Sequence, residues 1–393
     1  MPLFPITDTG RAGDIRMRRR RAGLLLGGIV LGGWMLAGPS HRNDRAGRET
    51  DESLQRALAT IDRLPVLLDH IDHATHSSRR RGLPQPGAND PSRTLVASGG
   101  LDIDIGCASS ITLLAVPGMA EDQAILSARP DQADALQAVA LNEQTGRIGS
   151  GGNSCDHQAH QEDADFILRV APERPLTIAQ WGSTDIRAGA FSGPVRLSGN
   201  GYGSVSIERT GPLVVQQRSS GDMSVGSVQG PLDADMESSG GLSVGSLEGT
   251  LDADIRSSGD LSINGGEIRD LRLRLHSSGD VRMNHARTTG QASILTESSG
   301  DVVGSMFSGS GFSATTRGSG DVVFASVQAE AAMLESTGAG DISIRGGTIE
   351  QLTATGSGSG DISVQAAVRA GRIIHDGPGD ISIPRLQKRA DGG

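Results

Sequence analysis

The feature that most constrains this chain is a polar turn, most often Ser-Ser-Gly-Asp or Gly-Ser-Gly-Asp, that recurs every 19 to 21 residues. A period of this length is typical of solenoids, in which each unit buries its apolar face only against its neighbours. The repeat therefore decides the fold class. The turn glycines are Gly221, Gly240, Gly259, Gly279, Gly300, Gly320, Gly340, Gly360 and Gly379.

Between two turns, short apolar–polar alternations predict strands separated by bends. Leu261-Ser262-Ile263 directly follows one turn, and the run 271–275 places leucines on one face and arginines on the other. Three short strands in about 20 residues make one rung of a parallel β-helix. We therefore predict an all-β protein, a right-handed parallel β-helix of about ten 20-residue rungs over residues 186–384.

An aspartate follows the glycine in every one of these turns except one, where Gly241 takes its place. Calcium takes six to eight oxygen ligands, usually with several carboxylates around one ion, and one aspartate per rung is few for such a site. We predict instead that aspartate and serine accept backbone hydrogen bonds, and that glycine supplies a positive φ. A calcium-stabilised binding module stays open as an alternative. Earlier, degenerate turns are predicted at Gly199 and near Gly182. The predicted structural turn residues are Gly221, Asp222, Gly259, Asp260, Gly279, Asp280, Gly300, Asp301, Gly320, Asp321, Gly340, Asp341, Gly360 and Asp361.

Repeated "GSGD" followed by Ile/Leu/Val-x-Val/Ile resembles the head GIN domain of candidate auto-transporter adhesins, a family of bacterial β-strand-repeat envelope proteins. The upstream "LRVAPERPLTI" is similar to the strand that leads into the first rung in that family. The resemblance covers residues 94–384. It implies an extracytoplasmic, non-catalytic β-helix, and it supplies no catalytic residues.

The N-terminal part differs in composition from the repeat. Residues 1–21 form a basic segment predicted to be cytoplasmic, and 22–38 are an uncharged apolar run predicted to be a signal anchor or a signal peptide. Residues 39–93 are predicted to be a helical stalk and linker, interrupted at Pro65. Three histidines in the stalk, His70, His73 and His76, are interpreted as a solvated helix face rather than a metal site.

Residues 94–185 are predicted to be a β-rich lead-in that contains Cys107 and Cys155. These are the chain's two cysteines, and an even pair outside the cytoplasm usually forms a disulfide, which we predict here. A polar tail is predicted at 385–393.

Composition bears on function by exclusion. The chain has a net charge of −10 although residues 1–48 carry nine arginines against three aspartates, so the remainder is strongly acidic and unsuited to nucleic acid. We predict a non-catalytic, adhesin-like or structural envelope protein with no cofactor and no metal. Its partner would be an envelope protein or glycan, with membrane contact through 22–38 and possible self-association through the end rungs. It would be anchored in the inner membrane facing the periplasm, or exported to the cell surface.

One catalytic alternative stays open. Many parallel β-helices are polysaccharide lyases or hydrolases, and such an enzyme needs clustered acids with basic residues nearby. Arg272, Arg274, Arg282 and His276 would form its patch for an anionic glycan.

Overall fold

The structure is a computed structural model that describes residues 82–106, 108–149 and 164–389. Within these ranges it is an all-β solenoid of about 11 turns with very little helix, which confirms the predicted fold class. The helical elements are a 3-10 turn at Pro130–Gln132 and helix α1 at Ala133–Ala138. The strands are β1 Ser92–Val96, β2 Leu101–Asp104, β3 Ser110–Ala115, β4 Gln123–Ala128, β5 Ala140–Asn142, β6 Arg147–Gly149, β7 Asp165–Val170, β8 Leu176–Gly182, β9 Asp185–Ala190, β10 Val195–Gly201, β11 Val205–Thr210, β12 Leu213–Gln217, β13 Met223–Gln229, β14 Leu232–Met236, β15 Leu242–Ile255, β16 Leu261–Ile263, β17 Gly266–Leu275, β18 Val281–Thr288, β19 Gln291–Thr296, β20 Val302–Thr316, β21 Val322–Ser336, β22 Ile342–Ile344, β23 Gly347–Gly356, β24 Ile362–Val364, β25 Ala367–His375, β26 Ile381–Ser382 and β27 Leu386–Arg389.

Each repeat pairs in parallel with the next repeat, at the equivalent residue. Val302 of β20 pairs with Val322 of β21, and Val322 pairs with Ile342 of β22. Because equivalent side chains then stack on one another, an apolar residue in one rung lies on an apolar residue in the next. Strands β20 and β21 pair from end to end, so the bend inside each does not break the ladder.

The interior is a continuous stack of aliphatic columns with one aromatic group. Phe312 packs edge-to-face against Phe307 and Phe324, with ring centroids 5.3 and 4.9 Å apart. Small residues in neighbouring rungs leave space for these rings: Phe312 pairs with Ala332, and a Cβ on Gly304 would overlap the ring of Phe324. Around this cluster, small residues in neighbouring rungs therefore compensate for the large aromatic rings.

The first rung is assembled out of chain order. Strand β2 pairs with β8 and strand β3 pairs with β9, although residues 116–175 lie between these pairs in the sequence. The intervening chain covers the outer edge of this rung: β6 pairs with β2, and β7 pairs with β3. Strand β4 then lies antiparallel to β7, and β1 antiparallel to β4. The row of N–H and C=O groups that a first rung would expose is therefore paired within the chain.

Candidate functional site

The turn glycines are required by close stacking rather than by backbone conformation. None of the nine has a φ in the left-handed region, so the predicted positive φ is wrong. Instead, a Cβ at each position would overlap backbone oxygen of the preceding rung; at Gly340, for example, the clash is with the carbonyl of Gly320. A side chain cannot be accommodated because that carbonyl belongs to the ladder.

The early members of this column also differ from the prediction. A Cβ on Gly221 would meet the carbonyl oxygen of Gly203, and a Cβ on Gly203 would meet that of Thr184. The turn column therefore runs through Gly203 and Thr184. Thr184 is two residues from Gly182, near which a turn was expected, but Gly199 lies in another column, where it pairs with Gln217 inside the solenoid.

A serine column stands beside the turn glycines. The hydroxyl of each serine donates to the carbonyl of the equivalent serine one rung earlier: Ser238 to Ser219, Ser257 to Ser238, Ser277 to Ser257 and Ser298 to Ser277. From Gly318 onward glycine replaces serine, and its Cβ would clash with the preceding rung. This corner therefore holds adjacent rungs together through both hydroxyl and backbone groups.

The aspartates form a second ladder along the same corner. The Oδ1 atom of Asp301 accepts the backbone N–H of Asp321 at 2.9 Å, and that of Asp321 accepts the N–H of Asp341 at 2.8 Å. The same bond links Asp341 to Asp361 and Asp361 to Asp380, both at 2.7 Å. Each carboxylate thus satisfies a turn amide of the following rung, and charge-assisted bonds of this kind are among the stronger hydrogen bonds in proteins.

These hydrogen bonds leave one oxygen of each carboxylate directed away from the ladder. The Oδ2 atoms of Asp280 and Asp260 lie 2.7 and 3.7 Å from guanidinium nitrogens of Arg282. Among the described residues, no three His, Cys, Asp or Glu side chains converge as a metal site would require.

A column of alternating charge precedes the turns, and the sequence analysis missed it. Its members are Arg218, Glu237, Arg256, His276, Glu297 and Arg317. Glu237 accepts from Arg218 at 3.0 Å and pairs with Arg256 at 3.1 Å, and Glu297 pairs with Arg317 at 2.7 Å. The signal was present in the sequence, because an ionisable residue recurs before six successive turns, with opposite signs at Arg218 and Glu237, at Glu237 and Arg256, and at Glu297 and Arg317.

Two members of this charge column have shifted pKa values. The hydrogen bond from Arg317, aided by His276, lowers the pKa of Glu297 below its ordinary value. The hydrogen bond to Asp254 raises the pKa of Arg256. Both shifts favour the charged forms of these two side chains.

The basic residues proposed for an anionic-glycan patch each lie beside a carboxylate of the solenoid's own outer surface. Arg272 and Arg274 both face Asp252, at 3.9 and 3.3 Å, while the Nδ1 atom of His276 lies 2.9 Å from Glu297. Arg282 lies beyond the turn, beside Asp280 and Asp260. Arg272 and Arg274 share one outward face, but each of the four basic groups lies next to a carboxylate, so they form no uncompensated cationic patch.

Buried polar side chains donate hydrogen bonds to the turn carbonyls from the interior, and the sequence analysis did not predict them. The hydroxyls of Thr316 and Ser336 each donate to the carbonyl of Gly340 at 3.1 Å, and the carboxamide of Gln217 donates to Gly221 at 2.6 Å. All three side chains are buried. The sequence signal is a polar residue at an inward position just before the turn.

An open groove of about 910 Å³ crosses six successive rungs on the outer surface. Its central column consists of paired positions on successive rungs: Asp252, Arg272, Ser293, Ser313, Met333 and Thr353. Beside this column the middle rungs carry small residues, among them Gly311 and Ala331. The groove exists because the side chains beside the central column are small in the middle rungs, whereas the backbone repeats unchanged.

Three predictions lie on residues outside the described ranges. They are the N-terminal membrane topology (basic segment 1–21 and membrane segment 22–38), the helical stalk up to residue 81 with its three histidines, and the Cys107–Cys155 disulfide. Within the described ranges, no helix combines the length and the apolar character needed to cross a membrane.

The fold and its outward columns define a parallel β-solenoid repeat protein. Residues 261–391, about a third of the chain, match the family model described as Toastrack DUF4097. No match was found among the curated proteins. The more specific resemblance to the head GIN domain stays a prediction.

Two solved structures from Parabacteroides distasonis ATCC 8503 are similar to this chain. A candidate adhesin has 13% identity and a TM-score of 0.33, with 77% of this chain and 97% of that chain covered. A candidate lipid-binding protein has 14% identity and a TM-score of 0.25, with 76% and 98% covered. Identities this low do not transfer a function.

Proposed function

We propose that this chain is a non-catalytic, adhesin-like protein of the cell envelope, in which the solenoid presents a repetitive polar surface to a partner. The observation that carries the proposal is the register of the outward columns. Serine, aspartate and charged side chains repeat at the same position over successive rungs, and many are hydrogen-bonded along the rod. Such a surface offers many equivalent weak contacts, which suits a repeating partner.

The location follows from the sequence and belongs to the same proposal. Residues 22–38 would anchor the chain in the inner membrane facing the periplasm, or direct its export to the cell surface. The partner would be an envelope protein or a glycan. The paired arginines and histidine favour recognition over chemistry, because each basic group already has a carboxylate beside it.

The test is binding of the full chain to isolated envelope fragments, measured as a saturable isotherm that unlabelled chain competes away. A variant with Ser239→Arg, Ser278→Arg and Ser319→Arg changes the exposed corner without touching the interior. We expect saturable binding by the native chain. Absence of saturable binding would overturn the proposal, as would release of new reducing ends from acidic polysaccharides by the native chain but not by Arg272→Ala/Arg274→Ala.

A further inference from the structure

We propose that the groove across the six rungs from Thr250 to Thr353 binds an extended, uncharged glycan. This inference rests on the proposed binding function and names the class of ligand and its site. Five intervals between rungs at about 4.8 Å give a groove about 24 Å long. It is therefore suited to a linear chain of several sugar units rather than to a compact small molecule.

The hydrogen-bonding groups of the groove are unused within the part of the chain that the structure describes. The hydroxyls of Ser293, Ser313 and Thr353 and the carboxamides of Gln291 and Gln351 line it, and they make no side-chain hydrogen bond there. Hydroxyl and carboxamide groups both donate and accept, as sugar hydroxyls do. Because they recur on successive rungs, they can meet the successive units of one polymer.

The charge of the groove selects against polyanions. Its ionisable lining is Asp252, Asp270 and Arg272, which leaves one net negative charge. Arg272 lies 3.9 Å from Asp252, and Asp270 accepts the backbone N–H of Gln291 at 3.0 Å. An acidic polysaccharide would be repelled by the net negative charge, whereas a neutral one would not.

The backbone of the groove argues against an extended peptide as the ligand. Peptides that add to a sheet need an exposed strand edge. Here the floor is the face of the sheet, and its N–H and C=O groups pair with neighbouring rungs along β19, β20 and β21. Met333, which is 55% exposed on the fifth of the six rungs, offers a thioether against which the C–H face of a sugar ring can pack.

The probe is a series of linear, neutral hexose oligosaccharides of increasing length, titrated by calorimetry into the full chain. We expect affinity to rise with length until the oligomer fills the groove, and then to level off. Binding should be unchanged between low and high salt, because no ion pairs form with the ligand. Uronic-acid oligomers of equal length should bind more weakly.

Ser313→Trp places bulk in the middle of the groove and should lower affinity at least about tenfold, a readily measured change. Ala325→Trp, at an exposed alanine of the next rung that does not line the groove, is the control and should change nothing. Absence of oligosaccharide binding, or equal loss in both variants, would overturn the inference. If Ser313→Trp still binds envelope fragments like the native chain, the groove is not the site although the proposed function stands.

Discussion

Replacement of a turn glycine by alanine tests whether rung stacking, rather than backbone conformation, selects glycine. At Gly320 a Cβ would lie 2.1 Å from the carbonyl oxygen of Gly300, and also 3.1 Å from its nitrogen. Ordinary van der Waals contact for a Cβ begins at 3.4 Å, so the overlap exceeds 1 Å. The oxygen cannot move away cheaply, because Gly300 belongs to the same stack and its own Cβ position abuts Gly279.

Overpacking of this size costs about 1–3 kcal/mol when the structure can shift, and more when it cannot. We expect Gly320→Ala to reach the upper part of that range, since the clash is with backbone. Gly311→Ala is the matched control, since a Cβ there meets nothing within 4 Å and the φ of Gly311 is not in the left-handed region. It should stay within about 0.5 kcal/mol of the native chain.

Urea unfolding followed by circular dichroism measures both variants, with the slope compared to detect loss of cooperativity between rungs. Hydrogen exchange would locate the weakened rungs around residue 320. Equal destabilisation by the two variants would refute the stacking explanation. So would a neutral Gly320→Ala, which would mean that adjacent rungs separate easily.

Four further predictions test the aspartate ladder, calcium binding, the core and the charge column. Asp321→Ala should lower the free energy of unfolding in urea by about 1 kcal/mol, because it removes the acceptor for the N–H of Asp341, whereas Asp321→Asn keeps an acceptor, removes a like charge and should be close to neutral. A chelator should leave the melting temperature of the native chain unchanged, and a clear decrease would instead favour calcium. Phe312→Ala should cost about 3–5 kcal/mol because it empties the centre of the aromatic group, whereas Met333→Ala on the surface should cost little in the same assay. Because the pKa of Glu297 is lowered in the folded chain, its carboxylate stabilises the fold at pH values above its ordinary pKa of 4.5, and this stabilisation is lost as the pH falls through the lower pKa of the folded state. Glu297→Gln should therefore flatten the acid limb of the profile of melting temperature against pH. An unchanged profile would contradict the ion pair with Arg317.

Much of the repeat could be derived from the sequence because the period and the alternation act together. A fixed period places equivalent residues on one another, and a two-residue alternation assigns each to the inside or the outside. Leu273, Leu275, Val281 and Met283 are accordingly buried. The same logic could have identified the charge column, had the residue before each turn been compared between rungs.

The first rung could not be derived in this way. Strands β2 and β3 carry the same alternation as the strands that follow, but the pattern does not state which strand is the neighbour of which. Their partners β8 and β9 come after an insertion that covers the outer edge. Neighbours that are distant in the chain are chosen by tertiary packing, and local periodicity contains no record of that choice.

By itself, the sequence determined that this chain is a solenoid, since a 20-residue period of turns and alternating strands has no other way to bury its apolar columns. Only the tertiary structure decided what each recurring turn residue does. Glycine is needed because the preceding rung lies a few ångströms away, and aspartate because the following rung presents an amide to it. The groove likewise depends on six rungs lying side by side, so that small residues far apart in sequence form one continuous depression.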